Sequence, residues 1–466
     1  MPRSPSRGGC QVTKGKIFLV GLGPGASEQM SLRARQVIAA SDVVIGYAKY
    51  VDLVADLLAD KEVVRKGMTQ EVDRCIAACE QARAGRAVAL VSSGDIGVYG
   101  MAGLTYEVLL RSGWTPDDGI DVEVVPGITA LSACASLVGA PLSHDFCSIS
   151  LSDLLTPWPV IARRLEAAAR GDFVVAFYNP RSGRRQRQLL AARDILLRHR
   201  RPDTPVAIVD AAYRDGQRTR LATLAEMTDG EVGMLSTVLV GNRGTYRQAG
   251  LMITPRGYSD KYDGLTGDLK AGERPGRSLS MGLEGWESCV RKYLRETETP
   301  SLEDAAGYFD RPVGEILAAV SEATDDDGAG EYAAAAVIPG SEAALLDEAR
   351  SWGRVRITMR NGTGAQGEFL LDAGGLVRHD NSFFVQTPHF RLRVDWSRVR
   401  RGWFVSRGRQ SRYVYFVDEA GESVFELGPG DERERFDRDA VACYERVWRQ
   451  FSSPRPNSDQ SPVAGE

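Results

Sequence analysis

The chain is expected to fold as two α/β subdomains followed by a separate α+β domain with a largely antiparallel sheet. Three observations predict this. Over the first half of the 466 residues, short apolar strands alternate with helical stretches, and several strands end in Gly-rich turns. Residues 259–280 are rich in Gly, Asp, Lys and Arg and carry little periodicity, as a linker does. From about residue 353 the pattern changes to period-two alternation with Gly-containing turns, the habit of antiparallel sheet.

The elements follow in order. Lys16–Gly21 is an apolar strand running into a glycine turn, 31–40 is helical, and Asp42–Gly46 is a second strand. A helix over 70–84, a strand over 86–92, a helix over 100–112 and a strand over 120–125 repeat the pattern. Past Pro126, strands are expected near 172–178, 205–210 and 235–241, so the two subdomains meet near 125–130 with a cleft between them and end near 258. The stretch 259–299 is taken as connector, though 284–296 within it is helix-like; 301–322 is also helix-like, before Asp325-Asp326-Asp327-Gly328 breaks the pattern. Strands are then expected at Val355–Met359, Gly367–Leu371, Phe390–Val394, Gly402–Ser406, Tyr413–Val417 and Ser423–Leu427, with a closing helix over 438–451. The segments 1–15 and 453–466 are Pro/Ser/Gly-rich and read as disordered tails.

Composition excludes more than it selects. A net charge of −4 gives no global pull toward nucleic acid or an anionic membrane. No run approaches the length of a membrane span, and the first residues lack the apolar segment of a secretory signal. Seven scattered cysteines without a C-x-x-C pair argue against a zinc or iron–sulfur module and fit a reducing cytoplasm. No metal site is expected.

Three loops carry the chemistry. Gly21-Leu22-Gly23-Pro24-Gly25-Ala26 lies between a strand and a helix and formally matches the G-x-G-x-x-A dinucleotide fingerprint, so a nicotinamide- or flavin-dependent oxidoreductase is a rival reading. Against it, Pro24 has no amide to offer a pyrophosphate, and the next strand ends in Gly46-Tyr47 rather than an acid. Ser92-Ser93-Gly94-Asp95-Ile96-Gly97-Val98-Tyr99-Gly100 follows an apolar strand, placing exposed backbone where open α/β sheets bind ligands; its plainer reading is a turn with Asp95 as a helix cap. Val125-Pro126-Gly127-Ile128-Thr129-Ala130 is an elbow from strand to helix.

Together with Pro141-Leu142-Ser143-His144-Asp145 and Ser150-Leu151-Ser152-Asp153-Leu154-Leu155-Thr156-Pro157-Trp158, these loops resemble the tetrapyrrole methylases of corrin synthesis, specifically the precorrin-3B C17-methyltransferase branch, from about residue 16 to 258. The resemblance implies the two-subdomain methylase fold, a homodimer through this domain, a tetrapyrrole substrate, and S-adenosylmethionine as methyl donor. It implies methylation of carbon 17 of precorrin-3B or its cobalt form with contraction of the ring to precorrin-4. It places the donor on Pro24, Ser93, Gly94, Asp95, Val98, Tyr99, Thr129, Ala130, Tyr178, Ala212, Gly241 and Asn242. Substrate contacts fall to Gly23, Ser152 and Arg181, the last as a carboxylate clamp among Arg181, Arg184, Arg185 and Arg187. Contraction requires proton transfer, and His144 and Asp153 are the residues expected to serve it; each also has a structural reading as a cap or turn residue.

Farther on, Ser301–Ala306, Gly314–Ala319, Gly353–Asn361, Gly367–Phe369 and Tyr415–Phe425 together resemble one repeat of the haem-utilisation and haemin-degrading proteins, over about 300–452. Ser301 with Asp304 reads there as a capped helix start. The resemblance implies a tetrapyrrole, haem or corrinoid, bound by this domain; a non-catalytic carrier or a scaffold is the alternative. The family's axial His has no counterpart after His389, which leaves His379 and His389. The basic run from Arg391 to Arg409 suits propionates or corrin carboxylates, or a solvated strand face.

Overall fold

A computed structural model describes residues 14–117, 119–182, 186–323, 328–360, 365–379, 381–386, 391–408, 411–430 and 438–453. The two predicted tails (apart from residues 14, 15 and 453), the Asp325–Asp327 break, Arg184, Arg185, Arg409 and His389 lie outside these. The chain divides into two compact units, Met1–Tyr258 and Ser259–Glu466.

In the first unit, β1 (Gly15–Gly21), β2 (Val43–Tyr47), β3 (Glu62–Lys66), β4 (Ala87–Ser92) and β5 (Ile120–Val125) form a parallel sheet in the order β3-β2-β4-β1-β5. Apolar residues sit on both faces, as a sheet covered by helices on both sides requires. Along β1, Ile17 and Leu19 enter one core with Ala78 and Leu109, from the helices Glu71–Arg83 and Ala102–Arg111. Phe18 and Val20 enter the other, with Val37 and Ile38 from Leu32–Ala39.

The second subdomain adds β6 (Gly139–Ala140), β7 (Phe146–Ser150), β8 (Val174–Tyr178), β9 (Pro205–Asp210), β10 (Arg218–Thr223), β11 (Ser236–Val240), β12 (Tyr246–Gln248) and β13 (Leu251–Ile253). Its main sheet runs β10-β9-β11-β8-β7. Here β7 and β8 are parallel, but β11 is antiparallel to both β8 and β9. Helices Trp158–Arg170 and Arg187–Leu196 cover one face with Ile161, Leu165 and Leu189. Helix Ala130–Ser136, which leaves β5, packs Leu131, Cys134 and Ala135 on the other face against Ala176, Ala207 and Leu239.

In the second unit, β14 (Tyr332–Ala336), β15 (Arg354–Arg360), β16 (Gln366–Asp372), β17 (Val377–His379), β18 (Ser382–Gln386), β19 (Arg391–Asp395), β20 (Arg401–Arg407), β21 (Ser411–Val417) and β22 (Ser423–Pro429) make two antiparallel sheets, β14-β20-β21-β22-β15-β16 and β17-β18-β19. Alternation sorts its side chains. Trp403, Val405, Tyr415 and Val417 face the helices Trp286–Glu296, Leu302–Phe309 and Val313–Ser321. Phe404, Val414, Phe416 and Phe425 face Trp352, Phe383 and Tyr444. Tyr444, from the helix Arg438–Phe451, is fully buried and its hydroxyl reaches the Tyr413 carbonyl at 2.6 Å.

Two expectations are corrected here. The stretch 259–299 is not all connector, because Trp286–Glu296 buries Val290 and Leu294 in the core of the second unit. The helical stretch 301–322 is two helices: Asp310 closes the first with a left-handed φ of 52°, and Pro312 opens the second. The Ser301 capping box forms as read, with Asp304 N 3.0 Å from Ser301 Oγ and Ser301 N 3.0 Å from Asp304 Oδ2.

Candidate functional site

The glycine loops converge at the carboxyl ends of β4, β1 and β5, three neighbouring parallel strands. Gly23 and Gly94 exchange backbone hydrogen bonds of 3.0 and 2.7 Å. Gly127 packs on them so tightly that a Cβ there would stand 2.2 Å from the Gly94 carbonyl oxygen and 2.8 Å from that of Gly21. No residue larger than glycine fits that contact without parting the loops. Gly94 differs: its φ is +70°, but a Cβ would meet nothing closer than 3.9 Å, the nearest atoms being Ala130 N, Ile128 O and Thr129 Cα. There is thus room for a carbon on that side, in ordinary contact with the first turn of helix Ala130–Ser136, which faces it.

Asp95 caps no helix, since the next one begins at Ala102 with Met101 as its N-cap. Its carboxylate instead accepts from Gly97 N at 2.7 Å and Gly127 N at 2.9 Å, joining the second loop to the third.

The second subdomain closes on these loops. Tyr178, at the end of β8, accepts from Leu131 N at 2.9 Å and lies 2.5 Å from Thr129 Oγ1. Burial raises the Tyr178 pKa, against the lowering effect of those hydrogen bonds, so the phenol stays protonated at neutral pH. Tyr99 packs its ring 4.8 Å from that of Tyr178 and donates to the Ser148 carbonyl at 3.0 Å. Ala212, in the turn after β9, is on the same side. Pro24 and Ser93 are held from that turn by Arg214, whose Nε and Nη2 reach the Pro24 carbonyl and the Ser93 hydroxyl. Val98 is left partly exposed. Tyr99, Asn179, Ala211 and Tyr213 all adopt φ near +50°, a conformation non-glycine residues take at a cost. They cluster at this end of the sheet.

Ser152 and Asp153 follow β7 at the same end. Ser152 N is 3.3 Å from Ser150 Oγ, which also accepts from Asn179 Nδ2 at 3.0 Å. Asp153 is exposed and accepts from Gln188 Nε2 at 2.7 Å. Leu154 and Leu155 beside it are 79% and 86% exposed, an apolar lip unusual for side chains of that size. Arg181 donates weakly to the Thr228 carbonyl at 3.4 Å and leaves its buried Nε without a partner.

Three expected site residues stand elsewhere. β11 is antiparallel to β8, with Val240 opposite Val175, so Gly241 and Asn242 emerge at the far end of the sheet from Tyr178. There Asn242 is buried and bonded to Thr245 and Gly244, and the Gly241 carbonyl accepts from Arg200 at 2.7 Å. His144 stands two residues before β7, at that same far end, and β7 itself spans roughly 13 Å from Phe146 to Ser150. It is exposed, and its Nδ1 accepts from Asp145 N at 2.7 Å. It stands in the turn that leads into β7. Conversely, Arg214 and Ser148 belong to the cleft and carry no sequence signal beyond standing at or near strand ends.

Among the described residues, no group of three or more His, Cys, Asp or Glu is arranged to hold a metal ion, and no helix is long and apolar enough to cross a membrane.

Residues 16–228 match the family of tetrapyrrole (corrin/porphyrin) methylases. The cobalt-factor III methyltransferase of Priestia megaterium is 52% identical over 273 residues, 59% of this chain and 50% of that protein, so the chain spans half of that relative's length. The probable cobalt-factor III C(17)-methyltransferase of Salmonella typhimurium is 49% identical over 52% of this chain and 99% of its own length. A crystal structure of the methyltransferase CobJ is 36% identical, with a TM-score of 0.48, over 52% of this chain and all of that one. With the Salmonella relative matched at 49% identity over 99% of its length, the chain belongs to the tetrapyrrole (corrin/porphyrin) methylases.

Proposed function

We propose that the first unit transfers a methyl group from S-adenosylmethionine to carbon 17 of cobalt-factor III or precorrin-3B in cobalamin biosynthesis, with contraction of the macrocycle. One observation supports this most directly: the Salmonella relative so named is 49% identical along 99% of its length.

The cleft suits the donor. The gap over Gly94, where a Cβ would stand 3.9 Å from the Ile128 carbonyl oxygen and the Ala130 nitrogen, is one that a side chain would fill. Gly94, Asp95, Thr129, Ala130 and Tyr178 would hold the donor, with Pro24, Ser93, Val98, Tyr99 and Ala212 around it. Bound there, the sulfonium supplies an already electrophilic methyl, and alignment of the accepting carbon is what remains for the protein to provide. The loops tied by Asp95 provide that alignment. Gly23, Ser152 and the Leu154–Leu155 lip face the flat substrate, and Arg181, with its unpartnered Nε, takes one of its carboxylates. With His144 at the far end of the sheet, Asp153 is the group we assign to proton transfer during contraction. In the test, the full chain is incubated with S-adenosylmethionine and, separately, cobalt-factor III and precorrin-3B, and product masses are read. One added methyl on either supports the reading, and none on both overturns it.

For the second unit we propose tetrapyrrole binding. The supporting observation is the outer face of β18 and β19, where Arg391 and Arg393 stand 5.8 and 5.6 Å from the Phe384 ring. Two exposed guanidinium groups beside an aromatic suit a flat polycarboxylate. Absorbance titration of the full chain and of Arg391→Ala/Arg393→Ala with haem and a corrinoid tests it; equal curves for both proteins overturn it.

A further inference from the structure

Arg214 belongs to the turn after β9, yet its side chain lies against loops of the first subdomain. Its Nε donates to the Pro24 carbonyl and its Nη2 to the Ser93 hydroxyl. The turn is built around it. Ala211 and Tyr213 hold φ of 47° and 56°, the Gln217 side chain accepts from Tyr213 N at 2.7 Å, and Ser136 Oγ is 2.9 Å from the Tyr213 hydroxyl. Gly25 is seated so close that a Cβ would be 2.4 Å from Arg214 Cγ.

Both partners of this guanidinium are neutral, and they engage two of its five N–H donors. Among the described residues, no carboxylate pairs with it. Burial also lowers its pKa, although an arginine stays protonated throughout the working range. A half-buried cation, fixed at the mouth of a ligand cleft and lacking a counter-charge, is costly unless something supplies one.

We propose that Arg214 receives a carboxylate from a molecule bound in this cleft, an inference that rests on the methyltransferase reading. The planar fork is suited to that group, and its place beside Pro24 and Ser93 puts the charge next to the proposed donor site. Two molecules in the reaction carry carboxylates: the amino-acid end of the donor and the acid side chains of the tetrapyrrole.

The experiment uses the full chain with Arg214→Gln and Arg214→Lys, checked for unchanged thermal melting. Calorimetry measures S-adenosylhomocysteine and 5′-methylthioadenosine, which lacks the amino-acid end. Steady-state kinetics measure KM and kcat for cobalt-factor III. If the donor's carboxylate is the ligand, Arg214→Gln weakens S-adenosylhomocysteine about tenfold or more, leaves methylthioadenosine unchanged, and Arg214→Lys restores part of the loss. If a tetrapyrrole carboxylate is the ligand, S-adenosylhomocysteine binding is kept and KM for cobalt-factor III rises about tenfold at unchanged kcat. Equal weakening of both nucleosides, or no change in any quantity, overturns the proposal and leaves Arg214 a tie between loops. A wild-type chain that binds no S-adenosylhomocysteine overturns this and the methyltransferase reading together.

Discussion

The two ends of the second subdomain's main sheet contrast sharply. At the end facing the glycine loops, Asn179, Ala211 and Tyr213 are held at positive φ, Arg181 has an unpartnered Nε, and two leucines stand exposed. At the other end, Arg200 is buried and donates to the carbonyls of Gly241, Ala168 and Phe173 while its Nε lacks a partner, Asn242, Thr245 and Thr254 bond one another, and Asp172 holds a positive φ, 52°. Among the described residues, backbone strain and exposed apolar side chains gather at the end facing the glycine loops and the denser polar bonding lies at the other, while each end keeps one buried arginine Nε without a partner.

Substitutions should separate the ends. The greatest effect is expected at Gly127→Val: any Cβ collides with backbone of two loops at once. S-adenosylhomocysteine affinity should fall at least about a hundredfold, or about 3 kcal/mol; calorimetry showing wild-type affinity would deny that the three loops form one site. Arg200→Ala should act at the other end. It strips hydrogen bonds from three carbonyls in a buried setting and should lower stability by about 3 kcal/mol in urea unfolding. Donor affinity measured on the folded fraction should not move; a parallel loss would erase the distinction between the ends.

Tyr178→Phe is a milder change on the cleft side. Losing the bonds to Leu131 N and Thr129 should weaken S-adenosylhomocysteine by roughly tenfold, near 1.4 kcal/mol. Since burial raises the Tyr178 pKa, this contribution should be flat from neutral pH through pH 9, which a pH series of binding constants checks. The smallest effect is expected for His144→Ala, within about twofold in turnover, because the residue lies at the end of the sheet away from the glycine loops. A loss of 10²–10⁴, the usual scale of acid–base help, would contradict that position.

The strand-and-loop plan of the first subdomain was legible because each apolar run of its core ends in glycine or proline: β1 in Gly21, β4 before Gly94, β5 before Pro126. β3 escaped notice because Glu-Val-Val-Arg-Lys is an edge strand with charges at its ends. β14 escaped because a run of alanines favours helix, and only pairing with β20 makes it extended. The misplaced site residues share one cause. A sequence marks where a strand stops but not which way it runs, so Gly241 and Asn242 carry the same strand-end signal as Tyr178 although their strand is antiparallel to its own. His144 lies in the same signature as Ser150, yet the length of β7 separates the two. Arg214 was invisible because its contacts lie 121 and 190 residues away.

The shared carboxylate of Asp95 bears on timing. One side chain clasps amides from two loops that follow different strands, so neither loop can lift alone without breaking a charge-assisted bond. The pair behaves as a single latch. The Gly97 and Gly127 amides should then exchange with deuterium at a common rate set by its release, and Asp95→Asn should speed both together. Such paired protons would serve as a clock for how often this cleft admits or discharges a guest.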